Sequence, residues 1–351
     1  MIDTKVWKLE EHKEIQRAVS EAAELLTDRQ VVAFPTETVY GLGADATSYE
    51  AVEKIFQAKG RPSDNPLIVH FADKSQMNDY VKLIPEIAEQ LLAAFTPGPL
   101  TIILKSNGTI AENVTAGLSS IAVRIPDHPV ASALLQACRL PLAAPSANKS
   151  GRPSPTTANH VYDDLNGRIA GLLDGGTTGV GVESTVVDCT SNVPIILRPG
   201  GVTREQLEEV LGTVMVDPAL AEQVTENEQN QTPRSPGMKY THYAPEAPLW
   251  LVEGDAEFLQ AQIDDCKQNG YKTGVIASRE MAQVIRADNI KVCGSHKNLN
   301  EVAVHLYDTL RAFKKSDVDI ILCETYSETG VGQAVMNRLN KAASKKLSQL
   351  Y

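Results

Sequence analysis

Hydrophobic residues in the first 212 positions follow two patterns that alternate along the chain. Apolar residues at helical spacing predict helices over residues 13–26, 49–59, 84–94, 129–138, 157–164 and 205–211. Short continuous apolar runs predict buried strands over residues 31–35, 67–71, 100–104, 121–124, 142–144, 171–174, 185–188 and 195–198. Alternating strands and helices are typical of α/β domains, so we predict a twisted mixed sheet with helices on its faces.

A second alternating pattern begins near residue 248. It predicts strands over 250–252, 273–277, 290–293 and 318–323, and helices over 257–267, 279–286, 299–313 and 332–346. Regular β–α alternation over about 100 residues predicts a smaller, Rossmann-like domain with a parallel sheet. The segment contains neither G-x-G-x-x-G after its first strand nor G-x-x-x-x-G-K-[ST], so these motifs give no support for a cofactor site there.

Charge is unevenly distributed along the chain. The 351 residues carry 33 Lys and Arg against 44 Asp and Glu, a net charge of −11. Residues 1–203 account for −6, residues 204–234 for −5 and residues 235–351 for none. Residues 221–234, AEQVTENEQNQTPR, are polar and amide-rich, which is typical of a linker. We therefore predict a first domain over 1–212, a linker over 213–247 and a second domain over 248–351.

The composition also limits the location of the protein and its partners. No apolar run approaches the ~18 residues that a membrane helix needs, and residues 1–8 hold no signal-peptide core. Five scattered cysteines without a CxxC pair predict reduced thiols and no cysteine-based zinc site. We expect a cytoplasmic protein without a membrane partner. The acidic balance disfavours direct, tight binding of RNA.

The first strand runs into PTETVYGLG, residues 35–43. Two threonines and two glycines bring hydroxyl groups and open backbone to a strand end, where ligands of α/β sheets commonly bind. A tight turn with internally bonded hydroxyls is an equally weighted alternative. The motif alone does not decide between the two.

A second motif, KGRPSDNP, follows the helix predicted over 49–59. Lys59 and Arg61 lie in a loop that two prolines stiffen, and Gly60 allows close approach of the backbone to a ligand. Fixed cations of this kind suit a polyphosphate, and a solvated helix end is the alternative. His70 follows on an apolar strand, where a histidine is more often a core residue than a catalytic one.

An arginine, Arg124, interrupts the apolar strand predicted over 121–124. Because a charge is rarely left unpaired in a core, Arg124 either pairs with a buried carboxylate or faces a cavity and binds an anion. The next loop, LAAPSANKSGRPS at residues 142–154, carries small polar side chains that can surround phosphates and a sugar.

Two further polar residues complete the set, Ser184 at a strand start and Arg198 at a strand end. Four cations then lie near strand ends of one acidic domain: Lys59, Arg61, Arg124 and Arg198. A local cationic pocket in an acidic body favours an anionic small molecule over a nucleic-acid duplex.

Five motifs in this order resemble the YrdC-type family, the threonylcarbamoyl-AMP synthases: PTETVYGLG, KGRP with the following NP, AVRIP, APSANKSG and VESTVVD. The resemblance covers about residues 15–212 and implies a three-layer α/β domain with a twisted mixed sheet. The remaining residues resemble the longer, two-domain branch, in which SPGMKYTHYAP at residues 235–245 precedes a Rossmann-like domain. This aromatic, basic segment is implied to fold over the active site.

The resemblance implies a nucleotidyltransferase of tRNA modification, an L-threonylcarbamoyladenylate synthase. It would condense L-threonine, bicarbonate or CO2 and ATP to threonylcarbamoyl-AMP and pyrophosphate, for threonylcarbamoyladenosine in tRNAs that read ANN codons. The residues implied to surround L-threonine are Thr36, His70, Arg124, Ala144 and Ser184. Those implied to hold ATP are Lys59, Arg61, Asn65, Ser120, Ser146, Asn148, Ser154, Arg198, Tyr240 and Tyr243. Lys59 and Arg61 are the implied catalytic residues, and one of the two tyrosines is implied to close over the nucleotide.

Mg2+ is the implied cofactor and would be carried by ATP. The sequence shows no carboxylate cluster dedicated to a metal, so we expect the phosphates to supply most of its ligands. The implied partners are the substrates and, transiently, the downstream threonylcarbamoyl transferase complex. A monomer is the default expectation.

Two other classes of function compete with this interpretation. An RNA-binding module without catalysis predicts a basic, aromatic surface, to which the 5% aromatic content contributes little. A different small-molecule enzyme on the same kind of sheet, such as a carbamoyl transferase or a sugar-phosphate lyase, would give a different product.

Overall fold

The structure, a computed structural model, describes residues 2–9, 12–220, 242–314 and 316–349. The chain divides into two compact units. The described residues of the first unit are 2–9, 12–150, 154–179 and 183–220. Those of the second are 242–314 and 316–349, together with 151–153 and 180–182. The linker predicted over 213–247 lies only partly within these ranges, and the predicted domain boundaries stay predictions.

The first unit contains a sheet of strands β1 to β11 within the described residues. In chain order they span Lys5–Lys8, Val32–Phe34, Gly41–Asp45, Ile68–His70, Leu100–Lys105, Ser120–Arg124, Leu142–Ala143, Gly171–Asp174, Thr185–Asp188, Ile195–Arg198 and Met215–Val216. Helices α1 to α8 span His12–Thr27, Tyr49–Lys59, Lys74–Asn78, Glu86–Phe95, Glu112–Thr115, Pro129–Cys138, Ala158–Leu165 and Arg204–Leu211. The spatial order is β1-β8-β2-β3-β7-β4-β6-β5-β9-β10-β11, with parallel and antiparallel pairs.

Helices cover both faces of this sheet. Along β2, Val32 and Phe34 belong to an apolar cluster that includes Leu134 of α6. Ala33, between them, belongs to a second cluster that includes Ile55 of α2. Successive side chains of a strand point to opposite faces, so the two clusters are two core layers on either side of one sheet. The predicted three-layer architecture with a mixed sheet is confirmed.

The second unit contains a smaller sheet. Strands β12 to β16 span Leu249–Glu253, Thr273–Ala277, Ile290–Val292, Ile320–Glu324 and Ala343–Ser348. Helices α9 to α12 span Ala256–Gln268, Arg279–Ala282, Leu299–Arg311 and Gly332–Ala342. The order is β14-β13-β15-β12-β16, and all of these pairs are parallel. The predicted parallel, Rossmann-like sheet is therefore confirmed.

Three strands of the first sheet, β1, β3 and β11, were not predicted from the hydrophobic pattern. β1 has one buried residue, Trp7, so its other side chains give no apolar run. The first and third residues of β3 are glycines, Gly41 and Gly43, and their motif is more typical of a turn than of a strand. A Cβ atom on Gly43 would lie 2.8 Å from the ring of Phe34, so that ring occupies the space of the absent side chain.

The prediction of a helix over 332–346 is wrong at its C-terminal end. α12 stops at Ala342, and Ala343–Ser348 form the edge strand β16 beside β12. Alanine and lysine favour helices, and most side chains of β16 are exposed, so no alternating apolar pattern marks this strand. Backbone pairing with β12 and an ion pair between Lys346 and Glu253, 3.0 Å apart, stabilise the extended conformation.

Two compositional expectations can be compared with the structure. All five cysteines lie within the described residues and form no disulfide, as predicted. Among the helices that the structure describes, none combines the length and the apolar character needed to cross a membrane.

Gly200 provides a test of the backbone packing in the first unit. A Cβ atom there would lie 2.3 Å from the carbonyl oxygen of Glu183 and 2.4 Å from the amide nitrogen of Thr185. Backbone atoms cannot rotate away, so we expect Gly200→Ala to lower the free energy of unfolding by about 3 kcal/mol or more. Chemical denaturation measures this change.

Gly179→Ala is the matched control. No heavy atom lies within 4 Å of a Cβ built on Gly179, so we expect a change within about 0.5 kcal/mol. Equal stability of the two variants would contradict the predicted packing.

Candidate active site

Strand pairing brings several predicted site residues to one region of the first sheet. β4 and β6 are parallel, and their register places His70 opposite Arg124. β5 pairs with β6 on one side and with β9 on the other. Ser184 directly precedes β9, and its hydroxyl lies 2.7 Å from that of Thr101 on β5. The neighbouring ends of β4, β6, β5 and β9 therefore hold these side chains together.

Arg124 is paired with a buried carboxylate. Its Nη2 atom lies 2.7 Å from Oε1 of Glu37, and the two side chains are 5% and 13% exposed. Its Nε atom donates a long hydrogen bond of 3.4 Å to the carbonyl oxygen of Gly98. Of the two alternatives predicted for Arg124, the structure shows the carboxylate partner.

His70 is buried beside this pair and is uncharged at neutral pH. Burial, and secondarily the positive charge of Arg124, lower the pKa of the imidazole from 6.5 to about 3. The ring of Phe34 meets it edge-on, with centroids 6.2 Å apart. His70 is thus a core residue that also borders the Arg124 site.

Arg198 binds the segment that precedes β9. Its Nε and Nη2 atoms donate to the carbonyl oxygen of Ser184 at 3.2 and 2.9 Å, and Nη2 also lies 3.1 Å from the Ser184 hydroxyl. These bonds and the hydroxyl of Thr101 fix Ser184 from two sides. Arg198 is buried, at 5% exposure.

Lys59 connects the C-terminal end of α2 to the loop after β7. Its Nζ atom donates to the carbonyl oxygens of Ser146 and Asn148 at 2.5 and 2.7 Å. Its own carbonyl accepts from the amide of Ser150 at 3.0 Å. A lysine that is 3% exposed therefore holds the loop predicted to bind ATP.

The rest of the KGRPSDNP motif turns back beside Lys59. Gly60 ends α2 with φ of 61°, and a Cβ atom there would meet nothing within 4 Å. Gly60 therefore supplies the left-handed conformation at the helix end, and its close approach to a ligand stays a prediction. Arg61 is half-buried and donates to the carbonyl oxygen of Asn65 at 3.1 Å.

Residues 35–40 of the PTETVYGLG motif form a turn that contacts both Arg124 and the loop after β7. Glu37 reaches Arg124, while the amide and carbonyl of Tyr40 bond to Pro155 and Ala147 at 2.9 and 2.8 Å. The hydroxyl of Thr36 donates to the carbonyl of Val39 at 2.7 Å and accepts from two amides of the turn. The side chain of Thr36 thus stabilises the turn, and its contact with a ligand stays a prediction.

Ala144 and Ser154 also lie in this region. A Cβ atom on Gly41 would lie 3.4 Å from the Cβ atom of Ala144 and 3.4 Å from the ring of Phe34. The hydroxyl of Ser154 donates to Glu183 at 2.5 Å, and Glu183 directly precedes Ser184. The five residues predicted for threonine therefore lie on paired strands of the first unit or beside residues that contact those strands.

Three predicted ATP residues are not brought to this region by the described contacts. Ser120 begins β6, while Arg124 ends it, so about 13 Å of extended chain separates them. Tyr243 is buried in the second unit, where its ring stacks on Tyr307 at 5.5 Å. Tyr240 lies outside the described residues, and the roles of all three stay predictions.

Three polar residues of the site were missed in the sequence. Glu37 stands inside a recognised motif but was not assigned a role. Thr101 and Glu183 support the site through Ser184 and Ser154. The expectation that Arg124 needs a buried carboxylate was the available signal for Glu37. The sequence did not show which of the carboxylates near the motifs would lie beside Arg124.

Within the described ranges, no three or more His, Cys, Asp or Glu side chains are grouped so as to hold a metal ion. The carboxylate nearest to Arg124, Glu37, already faces that arginine at 2.7 Å.

Comparison with known proteins decides the family. Residues 24–200 match the family model described as telomere recombination, and residues 202–344 match the model of the threonylcarbamoyl-AMP synthase C-terminal domain. The chain is 53% identical to the threonylcarbamoyl-AMP synthase of Bacillus subtilis, with 94% of each chain covered. It is 44% identical to that of Pyrococcus abyssi, with 93% and 94% covered.

The chain belongs to the threonylcarbamoyl-AMP synthase family. A crystal structure of P. abyssi Sua5 complexed with L-threonine superposes with a TM-score of 0.90 at 42% identity, covering 99% of both chains. The family and fold predicted from the motifs are confirmed. The predicted class is also confirmed: the chain is an enzyme, a nucleotidyltransferase of tRNA modification.

The buried imidazole of His70 predicts a pH-dependent stability. Its pKa falls from 6.5 to about 3 on folding, so the unfolded chain binds a proton at a higher pH than the folded chain does. The contribution of neutral His70 is complete above about pH 6.5 and is lost as the pH falls towards 3, at up to about 1.4 kcal/mol per pH unit. We expect His70→Gln to lose less stability between pH 7 and pH 4 than the unchanged chain.

Denaturant titration at several pH values measures this difference. His305→Gln removes an exposed histidine and is the matched control, so its pH profile should follow that of the unchanged chain. Parallel profiles for all three proteins would show that burial does not hold His70 neutral.

Proposed function

We propose that this chain condenses L-threonine, bicarbonate or CO2 and ATP to threonylcarbamoyl-AMP and pyrophosphate. The observation that carries the proposal is its similarity to threonylcarbamoyl-AMP synthases along 94% of the chain. The geometry agrees with it, because buried cations and neutral polar groups share one region of an acidic unit. Such an arrangement suits anionic substrates of small size.

L-Threonine is the amino-acid substrate in this proposal. The relative from P. abyssi is complexed with L-threonine, which supports this choice. The residues that we assign to it are those predicted from the sequence: Thr36, His70, Arg124, Ala144 and Ser184. Arg124 would pair with the substrate carboxylate, and the uncharged ring of His70 would add no competing positive charge.

ATP is the second substrate. We assign it to Lys59, Arg61, Asn65, Ser120, Ser146, Asn148, Ser154, Arg198, Tyr240 and Tyr243. Support comes from Lys59, whose bonds to the carbonyls of Ser146 and Asn148 fix a cation beside a polar loop. The side-chain amide of Asn65 is buried and makes no hydrogen bond within the described residues, so it has both a donor and an acceptor for a ligand.

The reaction proceeds in two steps in this proposal. The deprotonated amine of threonine attacks the carbon of CO2 and releases a proton to form a carbamate. With bicarbonate as the source, the same attack breaks a C–O bond and releases water. A carbamate oxygen then attacks the α-phosphorus of ATP, and the bond to pyrophosphate breaks. Positioning and neutralisation of charge supply the catalysis, so no covalent nucleophile is required.

Mg2+ would be bound mainly by the phosphates of ATP. No carboxylate group of the kind that encloses a metal was found in the described part of the chain, which fits a cation that the nucleotide carries. When bound, the cation would neutralise phosphate charge. Lys59 and Arg61 would orient the phosphates from the protein side.

The proposed product links this chain to tRNA without tight RNA binding. Threonylcarbamoyl-AMP would be consumed in forming threonylcarbamoyladenosine in tRNAs that read ANN codons, after transient contact with a transferase complex. We further propose a cytoplasmic location and a monomer. The net charge of −11 supports a small-molecule product over direct binding of a polyanion.

Product analysis tests the proposed reaction. With ATP, L-threonine and ¹³C-bicarbonate, we expect a nucleotide product with the mass of threonylcarbamoyl-AMP that carries one labelled carbon. Omission of threonine should abolish it. A labelled product without threonine would indicate a different carbamoylation, and tRNA retention without any product would indicate an RNA-binding module.

Lys59 should matter more than another lysine on the same helix. Lys59→Met keeps most of the apolar stem but removes the cation that binds the loop. We expect pyrophosphate release to fall about 100-fold or more. Lys54→Met is the control, because Lys54 donates to the carbonyl of Arg29 at 3.0 Å, away from the loop. Near-normal turnover of folded Lys59→Met would refute its assignment.

A further inference from the structure

The carboxylate of Glu37 has unused capacity for hydrogen bonds. Its Oε1 atom lies 2.7 Å from Nη2 of Arg124, but the contact lacks hydrogen-bond geometry. Within the described residues, both carboxylate oxygens are buried and accept no hydrogen bond. An ionised carboxylate has about four acceptor positions, and its burial is costly when these are not filled. Glu37 is therefore suited to a ligand that brings donors.

The position of Glu37 is set by its turn as well as by its attraction to Arg124. The preceding residue, Thr36, accepts hydrogen bonds from the amides of Thr38 and Val39 at 3.2 and 3.3 Å and donates to the carbonyl of Val39. These bonds hold the backbone on both sides of Glu37. Its side chain can therefore leave Arg124 by rotation while its Cα atom stays in place.

Arg124 is the guanidinium assigned to the substrate carboxylate in the proposed function. In this structure Glu37 faces that guanidinium. We propose that L-threonine displaces Glu37 from Arg124 and that the Glu37 carboxylate then receives the ammonium group of the substrate. The exchange makes Glu37 a specificity-determining residue for α-amino acids, and it rests on the proposed binding of threonine at Arg124.

The exchange replaces one buried ion pair by two, so no buried charge is left without a partner. A zwitterion supplies a carboxylate to Arg124 and an ammonium group with three donors to Glu37. A simple carboxylate or bicarbonate would separate Arg124 from Glu37 and leave a buried carboxylate without a cation. Removing one partner of a buried pair is strongly unfavourable. Glu37 thus disfavours simple anions at Arg124 while admitting an amino acid.

A purely structural pair makes a different prediction. If Glu37 only holds Arg124 in place, its loss weakens the binding of every ligand that contacts Arg124. If Glu37 exchanges partners, its loss weakens the binding of ligands with an ammonium group and strengthens the binding of ligands without one. The direction of change for two matched ligands therefore separates the two roles.

The test compares L-threonine with 3-hydroxybutyrate, which lacks the ammonium group but keeps the carboxylate and hydroxyl. Calorimetric titration gives both dissociation constants for the full chain and for Glu37→Gln. We expect the Glu37→Gln change to weaken threonine binding about 10- to 100-fold, as for loss of a charged hydrogen bond. We expect 3-hydroxybutyrate to bind at least about fivefold more tightly, because the competitor for Arg124 is neutralised.

Two variants complete the design. Glu37→Asp keeps the charge on a side chain one methylene shorter and should restore much of the preference for threonine, even if Glu37→Gln folds poorly. Glu50→Gln removes a glutamate that pairs with Arg29 on the surface, 3.1 Å away, and should change neither affinity. Its near-neutral behaviour controls for the general effect of losing one carboxylate.

The outcomes distinguish this inference from the proposed function. Opposite changes for the two ligands support the exchange. Parallel changes, no change, or a loss of preference in folded Glu37→Asp equal to that of Glu37→Gln overturn it. If the unchanged chain forms threonylcarbamoyl-AMP in these cases, the proposed function stands and only the exchange fails. If the unchanged chain neither binds threonine nor forms the product, both fail.

Discussion

The parallel pairing of β4 with β6 is the constraint on which the site depends. Its register places His70 opposite Arg124, on two strands that end at the same edge. A slip of one residue in either strand would turn its own side chain, His70 or Arg124, to the other face of the sheet. The charge of Arg124 then lowers the pKa of His70 beyond the effect of burial. One pattern of backbone hydrogen bonds thus determines the location of the cation and contributes to the charge state of its neighbour.

Backbone carbonyls orient the other cations. Lys59 donates to two carbonyls of the loop after β7, Arg61 to that of Asn65 and Arg198 to that of Ser184. Bonds to these carbonyls fix the orientation of each cation. Groups that are oriented before the substrate arrives need little reorganisation during the reaction. The contacts between Lys59 and its loop are therefore consistent with a function in positioning.

The sequence predicts the architecture well where its elements have a periodic apolar face. Both sheets and most helices follow from these patterns, whereas β3 and β16 do not. The glycines of β3 pack under the ring of Phe34, and β16 is a largely exposed edge strand. Their conformations depend on neighbouring strands, which a local pattern does not describe.

The site is predictable to a similar degree, and for a related reason. Ordered motifs identified the family and gave the candidate residues. They did not give the partner of Arg124, because Glu37 reaches it only through the pairing of strands distant in sequence. The buried hydroxyl of Thr36 likewise shows its bonds to the turn only in three dimensions. Residue type and motif thus predict which groups take part, while strand register determines which of them meet.

Net charge and local charge act over different distances in this molecule. The excess of 11 negative charges repels a polyanion, but salt screens exposed charges beyond about 8 Å. Buried cations such as Lys59 and Arg198 act at contact distance in a region of lower dielectric, where screening is weak. An acidic surface and a cationic interior are therefore compatible, because the first acts on approaching macromolecules and the second on a small ligand that has entered. A carboxylate beside Arg124 adds a third level of selection, since it distinguishes one small anion from another by whether a positive group accompanies it.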